Sequence, residues 1–179
     1  MNKFLFASLL IFVAAFSRLI PHPGNFTPVM AIALFSGATV LSKRESLLVP
    51  FLAMLISDAI IGFHSLIPVV YGCMALFTIL GWYLRENRNA IKTIGFSLFA
   101  AIFFFVTTNL GVWATSTMYE KTFAGLIECY VLAIPFFQNT VISTVLYTVT
   151  LFGMISLFEK YQTQHMVKVT TDIPTSKRG

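Results

Sequence analysis

Six apolar stretches divide this chain, and nearly all of its positive charge falls on alternate connections between them. The stretches cover residues 4–20, 28–42, 47–63, 66–84, 93–115 and 136–158. A hydrocarbon layer of about 30 Å needs roughly 17–25 helical residues to cross it. Five stretches have that length, and 28–42 is short enough to lie steeply or inside a bundle. Hydrophobic residues make up 57% of the chain and charged residues 11%, with a mean hydropathy of +0.82. Such a chain suits lipid as its solvent, not a water-soluble core.

The charges set an orientation. Lys3 precedes the first stretch, Lys43 and Arg44 lie between the second and third, and Arg85, Arg88 and Lys92 lie between the fourth and fifth. Lys160, Lys168, Lys177 and Arg178 follow the last stretch, and the opposite side holds only Arg18, near the end of the first stretch, and Lys121. Basic residues concentrate on the cytoplasmic side of a membrane protein. The expected fold is therefore an all-α membrane protein, a six-transmembrane-helix bundle with both termini inside (N-in/C-in), in the bacterial cytoplasmic membrane. On this reading the net charge of +5 is a topology signal, and no nucleic-acid partner is expected. Residues 4–16 are read as the first span and not as a cleaved signal peptide, because removing them would break the alternation.

Two segments resist the six-span pattern. Residues 122–135 are apolar but short and carry Glu128; a seventh span there would put the basic tail outside. They are expected to form a short helix on the outer face. Residues 161–179 are polar and aperiodic, and are expected to be a disordered cytoplasmic tail beyond a transmembrane domain of residues 1–160. No internal repeat of the inverted-repeat transporter kind is evident.

With this orientation, the hydrogen-bonding side chains gather in the outer halves of the helices. Arg18, His22 and Asn25 follow the first stretch, Asp58 and His64 end the third, and Asn109 and Trp113 end the fifth. Tyr71 and Cys73 lie early in the fourth, and Gln138 and Asn139 open the sixth. Polar groups are costly in hydrocarbon, so they face a cavity or one another. Asp58 either lines such a pocket or pairs with Arg18, and the two roles are compatible. Cys73 reads first as a small buried residue, and Trp113 suits an interfacial belt as well as a ring-stacking role. Ala33 with Gly37, and Ser97 with Ala101, are small residues four apart that permit close helix contacts, first of all within the bundle.

The chain lacks GxSxG, HExxH, a phosphate-binding loop and a dinucleotide fingerprint, so no catalytic, metal or cofactor site is expected. The two cysteines, Cys73 and Cys129, lie far apart and suggest neither a disulfide framework nor a zinc site.

The run Arg18-Leu19-Ile20-Pro21-His22-Pro23-Gly24-Asn25-Phe26-Thr27-Pro28-Val29 leads into Ala31-Ile32-Ala33-Leu34-Phe35-Ser36-Gly37-Ala38. It closely resembles the opening motif of a bacterial family of small, uncharacterised proteins assigned to transport. Ser57-Asp58, Gly62-Phe63-His64, Asn109-Leu110-Gly111-Val112-Trp113 and Ala133-Ile134-Pro135-Phe136-Phe137-Gln138-Asn139-Thr140 extend the resemblance over most of residues 14–158. That family is similar to the S components of energy-coupling-factor vitamin transporters, which bind substrate in a six-helix membrane bundle. The resemblance implies an outward-facing pocket for a small water-soluble nutrient such as a vitamin or precursor. It also implies a coupling membrane subunit and separate ATPases as partners. The first helix departs from many S components: Ala7, Ala14 and Ala15 form no AxxxA docking pattern.

The expected substrate-binding residues are Arg18, His22, Asn25, Asp58, Asn109, Trp113 and Asn139. Three other readings stay open: a stand-alone proton-coupled carrier using Asp58, a membrane enzyme using Cys73 and His22, and a structural membrane subunit.

Overall fold

The computed structural model describes residues 2–40, 42–86 and 88–171, with side chains as far as His165. Six helices follow in order: α1 (Lys3–Phe16), α2 (Val29–Thr39), α3 (Lys43–Ile61), α4 (Ile67–Glu86), α5 (Ala90–Thr115) and α6 (Phe123–Thr171). No strand occurs among the described residues. Local chemistry accounts for most boundaries. The side chains of Asn2, Ser42 and Asn89 cap the first turns of α1, α3 and α5 by accepting from Leu5, Glu45 and Lys92 N–H. A single 3-10 turn at Ser17–Leu19 ends α1, and Pro21 and Pro23 keep the helix from resuming. Gly62 ends α3 at φ 113, a conformation that suits a residue without a Cβ.

The bundle is organised around its shortest helix. All 11 residues of α2 are buried, and α2 touches each of the other five helices. Its closest neighbour is α4, where Gly37 and Gly81 meet. A Cβ on Gly37 would lie 2.0 Å from the Thr78 carbonyl oxygen, and one on Gly81 would lie 2.5 Å from that of Leu34. The small residues of α2 thus serve internal packing, and Ser97 and Ala101 of α5 are also fully buried. A short buried helix must find partners for its last carbonyls. Arg85, in the last turn of α4, donates from Nη2 to the carbonyls of Gly37 (2.7 Å) and Val40, placing a cation at the α2 C-terminus.

Large apolar side chains point outward along most of the bundle. Leu48, Leu52, Leu55 and Ile56 of α3, Phe99, Ile102 and Val106 of α5, and Ile142, Leu146 and Val149 of α6 are all exposed. An apolar surface that extensive is unsuited to water. Three helices are long and apolar enough to cross a membrane: α4, α5, and α6 from Phe123 to His165. The other three fall short for separate reasons. α1 has only 14 residues and α2 only 11, and α3 carries Lys43, Arg44, Glu45 and Asp58 within 19 residues.

The expected short outer-face helix at 122–135 is not a separate element. Its residues from Phe123 onward form the first turns of α6, which continues through Pro135 to Thr171 as one helix of 49 residues. Proline bends a helix without always ending it, and this part of α6 is held along α5. Tyr130 donates its hydroxyl to the Val106 carbonyl (2.7 Å), and the Phe105 ring packs on those of Tyr130 and Phe137. At the other end, residues 161–171 extend the helix where the sequence suggests an irregular tail, as their Gln, His and Met content permits. The rest of that expected tail, 172–179, lies outside the described residues.

The bundle has two chemically distinct ends. At one, Glu159 of α6 binds Lys3 at the start of α1 (2.6 Å) and Arg88 between α4 and α5 (2.5 Å). At the other lie the end of α1, the 20–28 loop, the α3–α4 connection and the last turns of α5.

Candidate functional site

Three elements meet at Arg18. The 3-10 turn after α1 carries the guanidinium toward α3, where Nη1 lies 2.6 Å from Asp58 Oδ1 and donates to Ser57 Oγ at 2.7 Å. The Tyr71 hydroxyl of α4 donates to the other carboxylate oxygen of Asp58 at 2.8 Å. The Asp58 side chain is 2% exposed and that of Arg18 11%, so both charges are withdrawn from solvent and compensate each other. Breaking one partner of such a pair is far costlier than the pair is stabilising.

Arg18 also lines a cavity of about 230 Å³. Asn25 and Thr27 enter it from the 20–28 loop, His64 from the α3–α4 connection, and Thr108 and Asn109 from α5. Val29, Leu66, Val70, Phe104 and Val112 complete the wall with apolar surface. Asn25 takes φ 61, a left-handed conformation that asparagine tolerates. Thr108 and Asn109 each donate to a carbonyl one turn back, those of Phe104 (2.7 Å) and Phe105 (2.8 Å). Their remaining oxygen lone pairs are acceptors.

The structure therefore brings three of the seven sequence-expected residues, Arg18, Asn25 and Asn109, into one cavity wall. Asp58 stands directly behind Arg18 and not in the lining. His22 belongs to a neighbouring open groove with Arg18, Pro21 and Ile61, and its Nδ1 lies 2.9 Å from the Pro23 carbonyl oxygen. Trp113 is outside the lining: its indole N–H donates to the Glu120 carbonyl (2.9 Å), with the Lys121 ammonium over its ring. Asn139 supports the site indirectly, donating to the Gly24 carbonyl (3.0 Å) and so fixing the loop that presents Asn25. Cys73 and His22 do not meet, since the thiol is buried 3.1 Å from the Thr107 hydroxyl.

Sequence reasoning gives His64 little weight, as a helix-end residue, and leaves out Thr27 and Thr108. No local signal marks Thr27, in a loop, or Thr108, whose hydroxyl is bonded to its own helix, as cavity-lining.

A larger cavity of about 490 Å³ lies at the opposite end, between the start of α5 and the middle of α6. Each polar side chain in it has at least one partner: Arg88 Nη2 pairs with Glu159, the Asn89 carboxamide oxygen accepts from the Lys92 N–H, and the Thr93 and Ser156 hydroxyls donate to the carbonyls of Asn89 and Phe152. The smaller cavity holds the more available recognition chemistry. No group of three or more metal-ligating side chains occurs among the described residues.

The model of the family of unknown function DUF6580 matches residues 1–167, and the chain belongs to that family. No curated protein and no solved structure matches it.

Proposed function

We propose that this family member is a multi-pass protein of the bacterial cytoplasmic membrane that binds and imports a small, water-soluble nutrient such as a vitamin or its precursor. All six helices then lie in the bilayer, α2 enclosed by the others, with both termini on the cytoplasmic side. The observation that carries the reading is the cavity ringed by Arg18, Asn25, His64 and Asn109 at the end remote from the Lys3–Glu159–Arg88 cluster. The positive-inside rule puts that cluster in the cytoplasm and the cavity toward the outside. Small-molecule sites combine apolar walls with a few convergent polar groups, as this lining does.

The 20–28 loop acts as a lid, pinned to α6 through Asn139 and Gly24. The chain carries no phosphate-binding loop, so ATP-driven import requires separate coupling and ATPase subunits, as in the S-component transporters it resembles.

Native mass spectrometry of the purified full chain in mild detergent tests the reading. The expected result is a co-purified small molecule that is lost in Asn109→Leu. Repeated absence of any adduct, together with no thermal shift across a panel of vitamins, would overturn it.

A further inference from the structure

Arg18, in the wall of the cavity, carries a buried hydrogen-bond donor that the fold itself leaves idle. Among the described residues, every contact of the Arg18 guanidinium leaves from Nη1, to Asp58, Ser57 and the Met54 sulfur. Nε is sealed from solvent without any hydrogen-bond partner. A cationic N–H held in that state is destabilising unless an acceptor arrives.

The unused side of the group is the Nε–Nη2 edge, which presents two parallel N–H bonds at the spacing of two carboxylate oxygens. Asp58 and Ser57 hold the guanidinium at the other nitrogen. They act as positioning residues and leave this edge without a hydrogen-bond partner among the described residues, so docking there takes a small side-chain shift that brings the sealed Nε to the cavity surface. Around Arg18, the Asn25 amide and His64 can add donors, Asn109 keeps one N–H beside its carboxamide oxygen, and Thr108, whose hydroxyl proton goes to the Phe104 carbonyl, offers an oxygen acceptor. Phe104 and Val70 supply an apolar wall. The volume, about 230 Å³, lies below the roughly 300–1,000 Å³ of drug-sized sites.

Resting on the proposed binding role of this cavity, we infer that its ligand is a small monocarboxylic acid with an apolar or aromatic body. Its carboxylate docks on the Nε–Nη2 edge of Arg18, and its own hydroxyl, amine or ring N–H groups donate to Asn109 and Thr108.

Matched pairs that differ only at the acid test this directly. The probes are nicotinate against nicotinamide, 4-aminobenzoate against 4-aminobenzamide, and pantothenate against pantothenol, each measured by thermal shift and by direct binding to the full chain in detergent. In at least one pair the acid binds tenfold or more tightly than its neutral partner. Arg18→Lys keeps the charge beside Asp58 but lacks the forked edge, and abolishes that preference. Because Arg18→Lys also touches a buried ion pair, Asn25→Asp provides a second reading. It places a like charge in the loop wall and weakens the acid at least tenfold while sparing the neutral partner.

Equal binding of acid and neutral partner, or preference for the neutral one, overturns the carboxylate assignment and leaves the binding role standing. An acid preference that survives in folded Arg18→Lys, or is unmoved by Asn25→Asp, overturns the docking edge. Absence of binding by every probe and by a wider vitamin panel overturns the binding role itself.

Discussion

The Ser36 hydroxyl of α2 donates to the Ser46 carbonyl of α3 at 2.7 Å. Ser46 lies four residues before Pro50, which sits inside α3 and has no N–H to offer. The hydroxyl on the neighbouring helix thus supplies the donor that the proline withholds, at a fully buried position.

That relationship predicts a non-additive pair. Ser36→Ala leaves a buried carbonyl without a partner and should cost about 1–3 kcal/mol. In a Pro50→Ala background, the restored N–H bonds the Ser46 carbonyl and the Ser36→Ala penalty should fall to well under half. A double-mutant cycle on thermal unfolding in detergent reads the coupling. Equal penalties in both backgrounds would mean that the hydroxyl does not replace the proline's missing donor.

The α2–α4 crossing predicts opposite outcomes for two glycines. Gly37→Ala forces a Cβ into the Thr78 carbonyl and should destabilise the bundle by about 1–3 kcal/mol or more. Gly72 lies on α4, and an added methyl there would meet nothing within 4 Å. Gly72→Ala should therefore be neutral or stabilising by up to about 1 kcal/mol. Unfolding temperatures of the two variants, side by side, check the contrast.

Removing Asp58 isolates a buried guanidinium. Asp58→Ala should cost about 3–5 kcal/mol, and the double replacement Arg18→Met with Asp58→Ala should recover a large part of the loss. Melting temperatures of the single and double variants measure the recovery. Recovery of nothing in the double variant would show that the carboxylate acts through Tyr71 and not through Arg18.

The Lys3–Glu159–Arg88 cluster is only partly buried, with side chains 26–37% exposed. Glu159→Gln should therefore cost only about 1 kcal/mol. The cost should shrink at about 1 M salt, where the screening length falls to about 3 Å. Melting curves at low and high ionic strength measure it.

The proposed orientation is checked by thiol labelling in a background with Cys73 and Cys129 replaced. His22→Cys, in an exposed loop, should react with an impermeant reagent added to intact cells. Lys43→Cys should react only after the membrane is opened. Labelling of both from the same side would remove the outward-facing cavity and the import reading with it.

Much of this architecture is legible in hydropathy because the helix ends are punctuated by residues with a local mechanism: Asn2, Ser42, Asn89, the prolines and Gly62. The partner of Gly37 is not legible. A small residue announces a close approach, but only the folded bundle selects Gly81 as the surface approached. The continuity of α6 is obscured because Pro135 and Glu128 read locally as interruptions, whereas contacts with Val106 and Phe105 across the helix pair carry it through both. At the site, opposite charges in an apolar chain make the Arg18–Asp58 pair foreseeable. Trp113 and Asn139 escape such reasoning because their partners are backbone carbonyls of Glu120 and Gly24, whose positions depend on loop conformation.

The complete enclosure of α2 bears on how this molecule is made. Eleven residues rise about 16 Å, roughly half the thickness of the hydrocarbon layer. Under the proposed six-helix topology, such a segment is too short to cross the bilayer as an independent stave. In the proposed topology it enters the bilayer together with α1 and α3, and its last carbonyls wait for α4, which brings Gly81 to lie against and Arg85 to close its end. The centre of the bundle is therefore complete only once α4 is in place.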